Sequence, residues 1–211
     1  MQTTTQLQTG GKWQSIQVGD RLFQVKDEEG QSECRWLAKD ASGAFNQVSQ
    51  AAPLASQRTS FALINVGDEF VIVCGGTKMS SVLSETWRYT ISDDSWTKLG
   101  NLEQARSKHS GCYLGTHAYA YGGLDAQNNA LGTIERMDQS GSWNAIIIDE
   151  EEFVPRYHAL FAPLNSTELV IMGGMALSEE DDDFQSLGDV WIFKTSDSSV
   201  TRQCRNFKGL A

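Results

Sequence analysis

The sequence predicts an all-β fold made of repeated four-stranded antiparallel units. Between residues 58 and 99, four short apolar runs alternate with turn residues, and each run is too short for a helix. The same arrangement returns twice, because an arginine, a pair of glycines and a later aromatic residue recur together at a period of about 50 residues. Three independent markers that keep one period indicate a repeat protein.

Each copy of the repeat is marked by an arginine near its start and by two adjacent glycines after its second apolar run. The run Phe70–Cys74 is apolar at every position, which predicts a strand covered on both faces. Glycines after such a strand allow positive φ or the close approach of a neighbouring chain. The residues to which we assign this structural role are Arg58, Gly75, Gly76 and Trp96, then Arg106, Gly122, Gly123 and Trp143, then Arg156, Gly173 and Gly174.

A four-stranded repeat of about 50 residues with a double glycine resembles the kelch repeat of β-propellers. The resemblance covers residues 58–211 well and residues 1–57 only weakly. It implies a kelch-type β-propeller of about four four-stranded antiparallel blades, in which the arginine at each blade start bonds neighbouring blades. Kelch-type propellers usually have about six or seven blades. Four blades therefore leave two alternatives, an unusually small ring or an incomplete ring that a partner completes, and we favour the second.

Taken in order, the chain is predicted to be one domain. Residues 1–11 are rich in Gln and Thr, which predicts a flexible N-terminus. Residues 12–57 hold four strand-like runs without the arginine or the double glycine, and we interpret them as a degenerate first blade. In the alternative, Trp13–Val18 joins the outer strand of a neighbouring blade and closes a ring. Kelch blades are predicted at 58–105, 106–155 and 156–211.

The charge of the chain is concentrated in three short segments. The net charge is −10, from 27 acidic and 17 basic residues, which argues against nucleic-acid binding through a basic patch. Antiparallel strands send loops alternately to two sides, so all three acidic runs are expected on one face of the propeller. Two interpretations remain open: solvated loops that keep the protein soluble, or an acidic face that docks a basic protein partner. The residues of this candidate acidic face are Asp27, Glu28, Glu29, Asp149, Glu150, Glu151, Glu152, Glu179, Glu180, Asp181, Asp182 and Asp183.

The sequence favours a cytoplasmic location. No apolar stretch approaches the roughly 18 residues that span a bilayer, so we expect no membrane partner. The first residues lack the basic and apolar segments of a secretion signal. Four cysteines far apart, without a C-x-x-C pair, are typical of a reduced compartment.

The sequence shows no catalytic, cofactor-binding or metal-binding motif. An HExxH helix, a nucleophile elbow and a P-loop are all missing. His109 and His158 follow repeat-opening arginines, where kelch units often place His or Ser, so the repeat explains them better than catalysis does. The run from Glu179 to Asp183 lacks the alternating ligands and the turn glycine of a dedicated Ca²⁺ loop.

The predicted function is a non-catalytic protein–protein interaction module. Such a kelch-like scaffold or adaptor would present the acidic face to a protein partner, and self-association is a second way to cover a terminal blade. The alternative is a propeller enzyme, a sugar isomerase, lyase or oxidase, with its site at the mouth of the central channel. A cluster of Arg, His and carboxylates at that mouth would favour the enzyme, because the fold alone does not choose.

Overall fold

The computed structural model describes residues 13–177 and 184–204. These residues form four antiparallel sheets of four strands each, which we call blades 1 to 4, and two short hairpins. No helix occurs among them, and none that could cross a membrane. The predicted all-β class with four-stranded antiparallel sheets is confirmed, and these sheets fit a propeller-like fold.

The strands of each blade follow one another along the chain. Blade 1 contains β1 (Trp13–Val18), β2 (Arg21–Lys26), β3 (Cys34–Lys39) and β4 (Phe45–Ala51). Blade 2 contains β5 (Ala62–Val66), β6 (Phe70–Cys74), β9 (Thr86–Thr90) and β10 (Ser95–Lys98), with the hairpin β7 (Thr77–Lys78) and β8 (Ser81–Val82) in its second loop.

The third and fourth blades repeat this order. Blade 3 contains β11 (Ser110–Leu114), β12 (His117–Tyr121), β13 (Ile134–Met137) and β14 (Trp143–Ile146). Blade 4 contains β15 (Leu160–Pro163), β16 (Glu168–Met172), β19 (Val190–Lys194) and β20 (Val200–Cys204), with the hairpin β17 (Met175–Leu177) and β18 (Phe184–Ser186) in its second loop. The first strands β1, β5, β11 and β15 pack against one another in that order.

The hydrophobic core lies between blades rather than inside them. On β6, Val71 and Val73 belong to the cluster shared with blade 1, while Ile72 and Cys74 belong to the cluster shared with blade 3. This alternation follows from the period of two residues along a strand. It explains why the strand before the double glycine is apolar at every position. β1 pairs with β2 along its whole length, so Trp13–Val18 is the first strand of blade 1.

Aromatic residues occupy the outer parts of the blade interfaces. The rings of Phe23 and Tyr89, from blades 1 and 2, stack with centroids 4.7 Å apart. Between blades 2 and 3, the indole Nε1 of Trp143 donates a hydrogen bond to Thr86 Oγ1 at 2.9 Å. These large side chains add contact area and also direct polar bonds across the interface.

Candidate functional site

Three buried arginines hold the starts of blades 2, 3 and 4, each against the double glycine of its own blade. The Nη1 groups of Arg58, Arg106 and Arg156 donate to the main-chain carbonyls of Gly75, Gly122 and Gly173 at 3.0, 2.9 and 3.1 Å. All three arginines are at most 1% exposed. Their guanidinium groups therefore stabilise their own blades.

The main-chain carbonyls of these arginines make the link between blades. Gly76 N–H donates to Arg106 O at 2.8 Å, and Gly123 N–H donates to Arg156 O at 2.9 Å. The first glycine of each pair lies equally close to the next blade, since a Cβ on Gly75 or Gly122 would sit 2.5 Å from that carbonyl oxygen. Real Cβ atoms do not approach so closely, so glycine is required for the blades to meet.

Each arginine also has an acidic partner that the sequence did not reveal. Arg58 pairs with Glu85 at 2.9 Å, Arg106 pairs with Glu135 at 2.6 Å, and Arg156 pairs with Asp189. In blades 2 and 4 a signal was available, because Glu85 and Asp189 each precede a third-strand tryptophan by two residues. In blade 3, Thr133 stands at the position of Glu85 and Asp189, and its hydroxyl accepts a hydrogen bond from Arg106. The acidic partner, Glu135, lies two residues further along the chain.

The environment of Asp189 and Glu85 keeps these two acids ionised. Burial acts to raise the pKa of Asp189, but hydrogen bonds from Arg156 and Trp191 and the charge of Arg156 lower it below its usual value. Burial likewise opposes ionisation of Glu85, yet hydrogen bonds from Lys98, Ser56 and Trp87 lower its pKa to about 2. Carboxylates paired in this way stabilise the blades and are not available as proton donors near neutral pH.

A groove of about 180 Å³ lies where the first strands of all four blades begin. Asp27, Ser60, Lys108 and His158 line it, one from each blade. The Asp27 carboxylate accepts the Ser60 N–H at 2.8 Å, and the Ser60 carbonyl accepts the Lys108 N–H at 2.9 Å. The Lys108 carbonyl then accepts the His158 N–H at 3.0 Å. One chain of hydrogen bonds thus runs across the four blades.

The titratable groups at this groove are engaged in the fold. Asp27 accepts a second bond from Gln14 Nε2 at 2.9 Å. Burial, with the nearby charge of Arg106, lowers the pKa of His109 well below its usual value, so this ring is neutral near pH 7. Its Nε2 lies 3.6 Å from the Sγ of Cys74, whose pKa burial raises to about 12. A neutral imidazole beside a protonated thiol is not an activated nucleophile.

His158 is more exposed than His109, but its pKa is lowered too. Burial and the charge of Lys108 lower the pKa of His158. Within the described ranges, no group of three or more His, Cys, Asp or Glu side chains could hold a metal ion.

The described residues of the predicted acidic face lie in two loops, one after β2 and one after β14. Asp27 is half-buried at the groove, and Glu28 lies 3.6 Å from Lys26 Nζ. Asp149–Glu152 is exposed in the link between blades 3 and 4, where Glu152 pairs with Arg202 of β20. Glu29 is exposed in the turn that follows β2. The third run, Glu179, Glu180, Asp181, Asp182 and Asp183, lies outside the described residues.

Comparison with known proteins gives two distant relatives, and no protein-family model matches the chain. The chain is 25% identical over 158 residues to an F-box/kelch-repeat protein of Arabidopsis thaliana, covering 72% of this chain and 40% of that protein. It is 25% identical over 92 residues to tRNA wybutosine-synthesizing protein 4 of Candida albicans, covering 43% of this chain and 13% of that protein. The chain therefore spans less than half the length of either relative.

Together, these findings define an all-β protein of propeller-like construction. The similarity to a kelch-repeat protein is compatible with the arginine and glycine pattern of blades 2 to 4. This distant relative suggests a protein-interaction module.

Proposed function

We propose that this chain is a non-catalytic protein–protein interaction module, a kelch-like scaffold or adaptor. One observation carries the proposal: the three buried arginines at the repeat positions are occupied by bonds to main-chain carbonyls and acidic side chains of their own blades. Such groups stabilise a scaffold and leave its loops free to bind. The similarity to a kelch-repeat protein supports the same function.

The partner surface in this proposal is the set of exposed acidic loops. Glu29 and the run Asp149, Glu150 and Glu151 are exposed, and the chain carries a net charge of −10. An acidic surface of this kind attracts a basic protein partner and accelerates its association, and the acceleration weakens as salt is added.

The test begins with a protein captured by the full chain and identified by quantitative mass spectrometry. Its association rate is then measured at several salt concentrations with three forms of the chain. The test variant is D149N/E150Q/E151Q, which leaves the Glu152–Arg202 pair intact. The control D20N/D68N/E69Q removes the same charge from exposed residues in turns at the opposite ends of the strands.

We expect the test variant to associate more slowly at low salt and to show a weaker salt dependence than the control. Equal rates and slopes for the two variants would rule out an acidic docking surface at these loops. Both variants should unfold within about 0.5 kcal/mol of wild type, because exposed substitutions rarely change stability more.

An enzyme with its site at the groove is the second candidate function. The observation in its favour is that Asp27, Lys108 and His158 meet at one concave site. A panel of sugars tested by thermal shift separates the two functions. A saturable shift that disappears in Lys108→Met, while the variant alone melts like wild type, would replace the scaffold proposal.

A further inference from the structure

The face of blade 4 that points away from blade 3 is apolar and only partly covered, from Leu160 at 53% exposure to Ile192 at 8%. Two rows of side chains cross this face from β15 through β16 to β19. The first row is Leu160, Met172 and Val190, and the second is Ala162, Val170 and Ile192. The alternate residues of the same strands are buried against blade 3. We call the six residues the terminal face: Leu160, Ala162, Val170, Met172, Val190 and Ile192.

The same face is fully covered in the preceding blades. In blade 2, Ala62, Ile64, Ile72 and Cys74 are at most 2% exposed, because blade 3 packs on them. In blade 4, Leu160 stands at the position of Ala62 and is 53% exposed. Val170 and Met172, at the positions of Ile72 and Cys74, are only half-buried. The terminal face therefore has the apolar side chains of an interface between blades, but no further blade in the described part of the chain packs against it.

Beside the double glycine of blade 4, Gly173 and Gly174, the position that the arginine carbonyl of the next blade fills in blades 2 and 3 is open. We call this position the slot. Gly76 and Gly123 donate to the arginine carbonyl of the following blade, whereas Gly174 N–H meets no carbonyl among the described residues. A Cβ on Gly173 would find its nearest neighbour, Leu187 O, at 3.4 Å rather than 2.5 Å. The buried glycine pairs of blades 2 and 3 thus become a half-exposed pair in blade 4.

The corresponding outer face of blade 1 does not complement the terminal face. It carries a polar network in which Gln24 Nε2 donates to Ser15 Oγ at 2.7 Å and Arg35 Nε donates to Gln24 Oε1 at 2.6 Å. Arg35 also lies over the ring of Trp13, 3.9 Å from its centroid. Ser15 and Gln24 are already only 2% exposed, so the polar group that an apolar strip would still remove from water without new bonds is the half-buried Arg35 guanidinium. Blade 1, in this copy or a second one, is therefore a poor occupant.

We propose that the terminal face binds a further four-stranded blade of the same repeat type, from outside these 211 residues. The residues not described, 1–12, 178–183 and 205–211, are too few to build a repeat of about 50 residues. The occupant offers a main-chain carbonyl to Gly174 N–H and an N–H to the His158 carbonyl, as Arg156 and His158 do for blade 3. Its facing side chains are apolar. This inference does not depend on the acidic loops.

The probe for this site is the full chain extended after Ala211 by a second copy of residues 106–155. Hydrogen exchange at Gly174 is compared in the parent and extended chains, with sedimentation to establish that each is a monomer. We expect exchange of the Gly174 amide to slow on the order of 100-fold in the extended chain. Equal exchange in the two chains, or a parent monomer already protected at Gly174, would overturn the proposal.

Two alanine variants of the extended chain test the slot itself. Gly173→Ala places a Cβ where the incoming carbonyl must lie, so protection of Gly174 should be lost. Gly115→Ala has nearly the same positive φ, 64° against 63°, but no atom within 4 Å of its Cβ, so protection should remain. Loss of protection in both variants, or in neither, contradicts the proposed slot.

A measurement on the parent chain keeps the test independent of how the extension folds. If the terminal face is uncovered, Leu160→Ser should leave the melting temperature unchanged and reduce the binding of a hydrophobic dye. A marked drop in melting temperature would show that the face is already covered. A parent dimer whose terminal face is protected from exchange would assign the site to a second copy and overturn the proposed occupant.

Discussion

Arg106 and Glu135 form an ion pair with an Nη2 to Oε1 distance of 2.6 Å, and both side chains are fully buried. The Glu135 carboxylate also accepts the main-chain N–H groups of Glu103 and Gln104, at 2.7 and 3.0 Å. The link from blade 2 to blade 3 is therefore held against the third strand of blade 3. A buried pair so fully bonded becomes costly once either partner is removed, because the remaining charge has no compensation.

Replacement of Glu135 by alanine should destabilise the protein by about 3–5 kcal/mol, since the buried Arg106 loses its carboxylate. The free energy of unfolding in urea measures this effect. The control is Lys98→Ala, which breaks the 2.8 Å bond of a half-exposed lysine to Glu85 and should cost less than about 1 kcal/mol. Similar losses in the two variants would show that burial does not govern these pairs.

Alanine should be tolerated less at Gly122 than at Gly173. Both glycines have positive φ, at 66° and 63°, so both variants carry a backbone penalty of about 1–2 kcal/mol. Only at Gly122 would the new Cβ also lie 2.5 Å from the Arg156 carbonyl. Gly122→Ala should therefore lower the free energy of unfolding clearly more than Gly173→Ala. Equal losses would mean that the close contact between blades 3 and 4 relaxes freely.

Stability should depend on pH through Glu85. The pKa of Glu85 is about 2 in the folded protein and near its usual value of 4.5 in the unfolded chain. A depressed folded pKa contributes stability that is complete above pH 4.5 and is lost as the pH falls towards 2. The difference in unfolding free energy between wild type and Glu85→Gln should therefore shrink over this interval. A difference that stays constant from pH 6 to pH 2 would argue against the paired carboxylate.

Native protein should expose one reactive thiol. Cys34, Cys74 and Cys112 are buried, and burial raises the pKa of Cys34 and Cys74 to about 12 and raises that of Cys112 as well. Cys204 is partly exposed. At pH 8 a thiol reagent should label Cys204 quickly in the native state and all four cysteines after unfolding. Rapid native labelling of a second cysteine would contradict the buried strand assignments.

The local signals in the sequence were sufficient for the fold class. Strand alternation and turn residues are properties of short segments, so the runs around Phe70–Cys74 predicted strands that the structure contains. The acidic partners of the arginines were missed because they lie 27, 29 and 33 residues further along the chain, just before the third strand in blades 2 and 4 and inside it in blade 3. Asp27 was assigned to an acidic face, yet its carboxylate also joins blade 1 to Ser60 of blade 2, a contact set by loop conformation.

By itself, the sequence determined that this protein is built from four-stranded antiparallel units, because the period of its arginines, glycines and aromatic residues is written in its residue order. Only the tertiary structure decided how those units meet. Gly122 and Gly173 occupy the same position in the repeat. The Arg156 carbonyl of the next blade packs against Gly122, whereas no following blade packs against Gly173 among the described residues. That difference depends on what packs against each blade, and packing between distant segments is not a property of any short stretch of sequence.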